Sequence, residues 1–134
     1  ENGYVLPFTS EPENYFEPNN RSAMENPQFV WNELNDMLDK NVIREVKERP
    51  HCCSPLSVAT RIKEDGSTAH RLCFDGSRHV NLLLKKDDFS LPSFAEAAEL
   101  LSENDFMGVF DLKSSFYHVR ICEDHQQYLG FSYI

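Results

Sequence analysis

Apolar residues recur three or four positions apart over residues 27–40, which predicts an amphipathic helix. The residues that carry this spacing are Val30, Leu34, Met37 and Leu38. Asn26 and Pro27 are typical of a helix start, because Asn caps the first turn and Pro is tolerated at the first helical position. Asn41 is typical of a helix end. Residues 1–25 contain three prolines and predict an extended N-terminal arm with little structure of its own.

The middle of the chain predicts a β-hairpin. Two strand-like runs, residues 56–62 and 69–75, are separated by the turn-forming residues 64–67, Glu-Asp-Gly-Ser. Residues 42–47 predict a further short strand ahead of the hairpin. We therefore expect residues 26–92 to form one unit of a helix and antiparallel strands.

The last third, residues 93–134, predicts a second unit. Ser93 can cap a helix that runs to residue 101, with Glu96 at the capping-box position. Residues 106–112 are mostly apolar, which is typical of a central strand buried on both faces. Shorter elements should follow as a helical turn at 114–117 and strands at 119–122 and 128–134. The pattern indicates an α+β protein with an antiparallel sheet and packed helices.

Charge is unevenly distributed along the 134 residues. The net charge is −9, but residues 1–40 carry −6, residues 41–86 carry +4 and residues 87–134 carry −7. The acidic total argues against a general nucleic-acid coat protein, whereas the central basic island could bind phosphates. Alternatively, its Lys and Arg side chains protect a sheet edge from aggregation.

Candidate chemistry is sparse outside Asp111, which closes the predicted central strand. A strand-end carboxylate is typical of Mg²⁺ sites in phosphoryl transfer, although Asp111 could instead cap the following turn. A zinc site is disfavoured, because His70 and Cys73 should point to opposite faces of a strand. The four cysteines form no regular framework, which favours reduced thiols in an intracellular protein. No apolar run is long enough for a bilayer span, so no membrane partner is expected.

The chain resembles the reverse transcriptases of retrotransposons, LTR-type and most closely those of the tyrosine-recombinase (DIRS-like) branch. The resemblance runs in order through nearly the whole chain. Its pieces are Leu6-Pro7-Phe8, Asn19-Asn20-Arg21-Ser22-Ala23, Pro27-Gln28-Phe29-Val30, Asn41-Val42-Ile43, Cys53-Ser54-Pro55-Leu56-Ser57-Val58, Arg71-Leu72-Cys73-Phe74-Asp75, Arg78-His79-Val80-Asn81, Phe110-Asp111-Leu112-Lys113-Ser114 and Gln127-Tyr128-Leu129-Gly130-Phe131. It implies the fingers and the first part of the palm of a right-hand polymerase.

The resemblance also implies roles for individual residues. Asp111 corresponds to the first catalytic aspartate, which binds Mg²⁺ together with the backbone carbonyl of Leu112. Phe116 corresponds to the aromatic steric gate that selects deoxynucleotides. Arg71 and Lys63 correspond to the fingers residues that bind the incoming triphosphate. One further residue, Arg78, belongs to the element behind them, although this chain has one residue more between Asp75 and Arg78 than the family pattern.

The Tyr-x-Asp-Asp hairpin of the family is not in this sequence. Two-metal phosphoryl transfer needs those carboxylates, so we expect a truncated polymerase that is inactive alone. The intact parent would take an RNA or DNA template-primer and deoxynucleotides. The alternative is a retroelement-derived, non-catalytic protein-interaction module. A truncated palm would leave apolar surface uncovered, which predicts self-association or a protein partner.

Overall fold

The computed structural model describes residues 2–133 and has the α+β architecture expected from the pattern. Its helices are short except for one of 13 residues. In chain order the elements are β1 (Tyr15–Phe16), α1 (Arg21–Met24), α2 (Pro27–Asp39), β2 (Cys52–Cys53), β3 (Leu56–Ile62), β4 (Thr68–Phe74), α3 (Val80–Leu83), α4 (Phe94–Glu99), a 3₁₀ turn (Ser115–His118) and α5 (Glu123–Gln126). No helix among these described residues is long and apolar enough to cross a membrane.

The predicted helix is confirmed as α2. It begins at Pro27, and Asn41 follows its end with a φ of 54°, the left-handed conformation that often terminates helices. Asn26 occupies the N-cap position, but its side-chain amide donates to the Ser22 carbonyl at 2.9 Å and does not cap the helix. The start of α2 was therefore correctly predicted from Pro27, and the capping bond was not.

The predicted hairpin is confirmed as β3 and β4. The two strands pair antiparallel from Leu56–Phe74 to Ile62–Thr68 without a bulge. Further along the chain, the predicted capping box is present at α4. The Glu96 backbone amide donates to Ser93 Oγ at 3.2 Å, and the Ser93 amide donates to Glu96 Oε2 at 2.6 Å. The predicted turn at 114–117 is observed as the 3₁₀ turn.

The main core lies between the hairpin and the first two helices. Leu56 and Val58 of β3 are buried against Ala23 of α1 and against Val30 and Leu34 of α2. Helical spacing on α2 and strand alternation on β3 thus direct apolar side chains into one cluster. Partly buried side chains complete it, namely Phe29, Ile43, Leu72, Phe131 and Tyr133.

A second, smaller core holds the N-terminal arm against the rest of the chain. Cys52, Val80 and Tyr128 are buried there, with Phe8 and Tyr15 packed against them. The arm also contributes backbone hydrogen bonds, because β1 pairs in parallel with β2. Residues from distant parts of the sequence thus meet at this core.

The predicted strand at 42–47 is wrong. The amides of Val42 and Ile43 donate back to the Met37 carbonyl, at 2.9 and 3.4 Å. These bonds satisfy the end of α2 and leave the two amides unable to join a sheet. The Ile43 side chain still packs against the main core.

The predicted central strand at 106–112 is also wrong. Phe106, Val109 and Phe110 are 104%, 95% and 98% exposed, so neither face of this segment is buried. No strand in the described part of the chain pairs with it. An apolar segment forms a strand only when a neighbour accepts its backbone hydrogen bonds, and here none does.

The two predicted strands near the end of the chain are reduced to isolated bridges. Ile121 bridges Tyr4 of the arm, and Gly130 bridges Cys53. The arm and β2 each provide a single contact point, which is too short for a ladder. Residue 134, the last of the predicted strand at 128–134, lies outside the described residues.

Candidate functional site

The two faces of the β3–β4 hairpin have different chemistry. Because side chains alternate along a strand and cross-strand partners share a face, Leu56, Val58 and Leu72 lie on one face. This face packs against α1 and α2. The opposite face is turned away from the main core and is available to a ligand.

Three cations share that opposite face. Arg71 pairs with Ala59, and Arg61 pairs with Ala69, so the two arginines are diagonal neighbours across the strands. The backbone positions of such neighbours are about 7–8 Å apart. Lys63 follows in the same alternation, and its amide donates to the Ser67 carbonyl at 2.8 Å as the strands enter the turn. The methyl groups of the two alanines leave the space between the arginines open.

The charges of this basic face are free to bind a ligand. Arg61, Lys63 and Arg71 are exposed, and none forms an ion pair with another described residue. Asp65 in the turn accepts hydrogen bonds from the Ser67 amide and hydroxyl, at 2.9 and 2.6 Å. These bonds lower the pKa of Asp65, so the carboxylate is committed to the turn. Paired arginines with an adjacent lysine suit a phosphate-bearing anion.

Arg78 does not belong to this basic face. Its guanidinium donates to Glu17 Oε2 at 2.9 Å, and His79 Nε2 contacts Glu17 Oε1 at 2.7 Å. The His79 ring stacks on Tyr15, with centroids 4.0 Å apart, and the Tyr15 hydroxyl lies 2.5 Å from Ser54 Oγ. The hydrogen bond from His79, followed by the charge of Arg78, lowers the pKa of Glu17. Arg78, which was predicted to bind a nucleotide, is therefore paired with Glu17 of the arm.

The contact of Glu17 with Arg78 and His79 has no signal in the sequence. Glu17 lies 61 residues from Arg78 and 62 from His79, so no local spacing relates them. Its position next to Phe16 and before Pro18 is unremarkable in sequence. The arm reaches these residues through the pairing of β1 with β2 and through hydrogen bonds beside α3, from the Thr9 amide to the Leu83 carbonyl and from the Lys85 amide to the Pro7 carbonyl.

The palm-like candidates are not gathered around a common centre. Asp111, Leu112 and Phe116 are all exposed, the last two at 70% and 88%. Within residues 2–133, no group of three or more His, Cys, Asp or Glu side chains could hold a metal ion. Among these three candidates only Asp111 offers a carboxylate, and Mg²⁺ sites of phosphoryl transfer also take oxygens from substrate phosphates and water.

The histidine and cysteine of the disfavoured zinc site lie on opposite faces of the hairpin. His70 Nδ1 is 3.0 Å from Thr60 Oγ1, and its ring packs beside Phe29. Cys73 lies on the face of Arg71 and contacts that residue's carbonyl. The two side chains thus have separate neighbours.

Comparison with known protein families, with curated proteins and with solved structures found no match to this chain.

Proposed function

We propose that this chain is the fingers and first palm part of an RNA-directed DNA polymerase of the retrotransposon type. In this proposal the basic face of the hairpin binds the phosphates of a deoxynucleotide. The observation that carries it is the location of Arg61, Lys63 and Arg71 on one exposed face without ion-pair partners. The parent protein would be intracellular and would use Mg²⁺ with a template-primer.

The basic face would act by positioning and by charge. Two guanidinium groups present planar donor pairs that match phosphate oxygens, and Lys63 adds a compact charge at the turn. Because the face is exposed, salt screens these charges over about 10 Å at 0.1 M. Phosphate binding by this chain should therefore weaken steeply with ionic strength.

Titration with inorganic triphosphate and with a deoxynucleoside triphosphate tests the proposal. Arg61→Ala and Arg71→Ala should each raise the Kd by about tenfold, since a hydrogen bond to a charged group contributes about 1.5–3 kcal/mol. Arg71→Lys should lose part of the affinity because it keeps the charge and loses the fork. Arg44→Ala is the matched control, because Arg44 is exposed and lies outside the hairpin. Equal binding by wild type and the Arg61→Ala/Arg71→Ala double variant would contradict the proposal.

The chain alone is not expected to catalyse DNA synthesis. Primer extension with Mg²⁺ and deoxynucleotides should yield no product, because the sequence lacks the Tyr-x-Asp-Asp carboxylates of the family and no group of three or more metal-ligating side chains is found among the described residues. Extension that Asp111→Ala abolishes would overturn this part of the proposal.

A second candidate function is a protein-interaction module derived from such a polymerase. Residues 87–119, which we call the acidic apolar segment, favour it. Thirteen large hydrophobic side chains of this segment are at least half exposed. Apolar surface of this extent is typical of a binding surface for another protein.

A further inference from the structure

The acidic apolar segment is exposed along nearly all of its length. Its most exposed large side chains are Phe94, Leu100, Phe106, Val109, Phe110 and Phe116, each more than four-fifths accessible. Outside α4 and the 3₁₀ turn the segment is irregular. None of the buried residues that form the two cores belongs to it. The monomer thus gains no core packing from these apolar side chains.

The exposed area of the whole chain exceeds what a compact protein of this mass has. A folded monomer of 15.5 kDa is expected to expose about 7,200 Å². This chain exposes 11386 Å². The excess of about 4,200 Å² is more than twice the roughly 1,600 Å² that a standard protein interface buries in total. A partner could therefore cover the segment with a full-size interface.

The charge of the segment restricts the partner. Residues 87–119 contain seven acidic residues and one basic residue, interspersed among the apolar side chains. A complementary surface must combine apolar contacts with positive charge. The hairpin has both, since Arg61, Lys63 and Arg71 lie on its basic face, and Ile62, which is 74% exposed, lies on the other face at the open end of the same strand.

The backbone of the segment offers a second kind of complementarity. Residues 106–112 form no backbone hydrogen bonds within the described chain. The hairpin is a sheet of only two strands, and the Leu56 and Val58 amides on the outer edge of β3 already donate to Asn19 Oδ1 and Ser22 Oγ. The outer edge of β4 is the one that can accept a third strand. Addition of an extended segment to a free sheet edge is a common mode of protein recognition.

We infer that the acidic apolar segment of one chain docks on the basic hairpin of a second copy. Each copy carries both the segment and the hairpin. The segment of each copy can therefore dock on the hairpin of the other, which gives a symmetric dimer in which both surfaces of both copies are covered. The inference rests on the second candidate function, the interaction module, and names its partner. In this dimer the apolar side chains of the segment are buried at the interface, whereas in the monomer they are exposed.

Light scattering coupled to gel filtration, with sedimentation equilibrium, tests the inference on the full chain. We expect a dimer that dissociates on dilution. Phe106→Ser and Phe110→Ser should each raise the dimer Kd by at least about thirtyfold, as expected for buried aromatic anchors. Val46→Ser is the matched control, because Val46 is 49% exposed and lies outside both surfaces. Circular dichroism should show all three variants folded.

Charge exchange identifies the second copy as the partner. One variant carries Arg61→Glu and Arg71→Glu, and the other carries Glu99→Lys and Glu103→Lys. Each alone should be monomeric, because like charges then face each other, whereas an equimolar mixture should form a heterodimer. A monomeric wild type, or failure of the mixture to associate, would overturn the inference. The triphosphate titration, run below the dimer Kd, tests phosphate binding at the same basic face separately, because the face is not covered by a partner there.

Discussion

The substitution Leu56→Ala tests whether the main core lies where the structure has it. Leu56 is 2% exposed and is the largest of the fully buried side chains. Its backbone is held by other groups, since its amide donates to Asn19 Oδ1 at 2.9 Å and its carbonyl accepts from the Asn20 amide at 3.0 Å. Alanine keeps both bonds, so the substitution removes only side-chain packing.

The expected cost follows from this burial. Leucine-to-alanine changes in a core destabilise by about 2–5 kcal/mol, through lost transfer free energy and the cavity left behind. We expect about 3 kcal/mol here. With a urea slope of about 1.5 kcal/mol/M, the midpoint of unfolding should fall by about 2 M.

Leu82→Ala is the matched control, because it deletes the same atoms from a side chain that is 72% exposed and lies outside residues 87–119. Its free energy of unfolding should change by less than about 0.5 kcal/mol. Urea unfolding followed by circular dichroism, at the lowest workable protein concentration, measures both variants. Equal destabilisation by Leu56→Ala and Leu82→Ala would refute the assignment of the core to the hairpin and the first helices.

Three further predictions concern other parts of the chain. Gly130→Ala should destabilise by about 1–3 kcal/mol in urea unfolding, because its Cβ would lie 2.5 Å from Pro50 Cβ and 2.6 Å from the Cys52 carbonyl oxygen; an unchanged midpoint would contradict that close approach. Burial raises the pKa of the Cys52 thiol to about 11, so only about one molecule in a thousand is thiolate at pH 8; mass spectrometry after iodoacetamide treatment should find Cys52 unmodified in the native protein and modified in urea. The pKa of Glu17 is lowered from its ordinary 4.5 by the contact with His79, so its contribution to stability is present above that pH and is lost as pH falls below it. The stability difference between wild type and Glu17→Gln should therefore shrink as pH falls below 4.5 in urea unfolding, and a difference independent of pH would argue against the contact.

Much of the hairpin and its basic face could be predicted from the sequence. Local signals were sufficient there: alternation along β3 and β4, a turn sequence between them and basic residues in matching register. The helix α2 and the capping box at Ser93 were predictable for the same reason, since the interactions that define them span four residues or fewer.

The strand expected at residues 106–112, which would end beside Asp111, is the clearest case in which the apolar pattern predicted the wrong structure. Its apolar composition is compatible with a buried strand, but strand formation also needs a hydrogen-bonding neighbour and a covering layer. The described residues supply neither, so Phe106 to Phe110 are exposed. The composition of a segment shows which side chains are apolar. It does not show whether another element is present to cover them.

The sequence by itself determined the elements whose hydrogen bonds and packing are local: α2, the β3–β4 hairpin and the order of charges along the chain. The tertiary structure alone decided that Glu17 of the arm engages Arg78 and that residues 87–119 lie outside both cores. The reason is physical. Local structure depends on neighbours within a few residues, whereas these outcomes depend on which distant segments bury apolar area together and which charges that burial brings into contact.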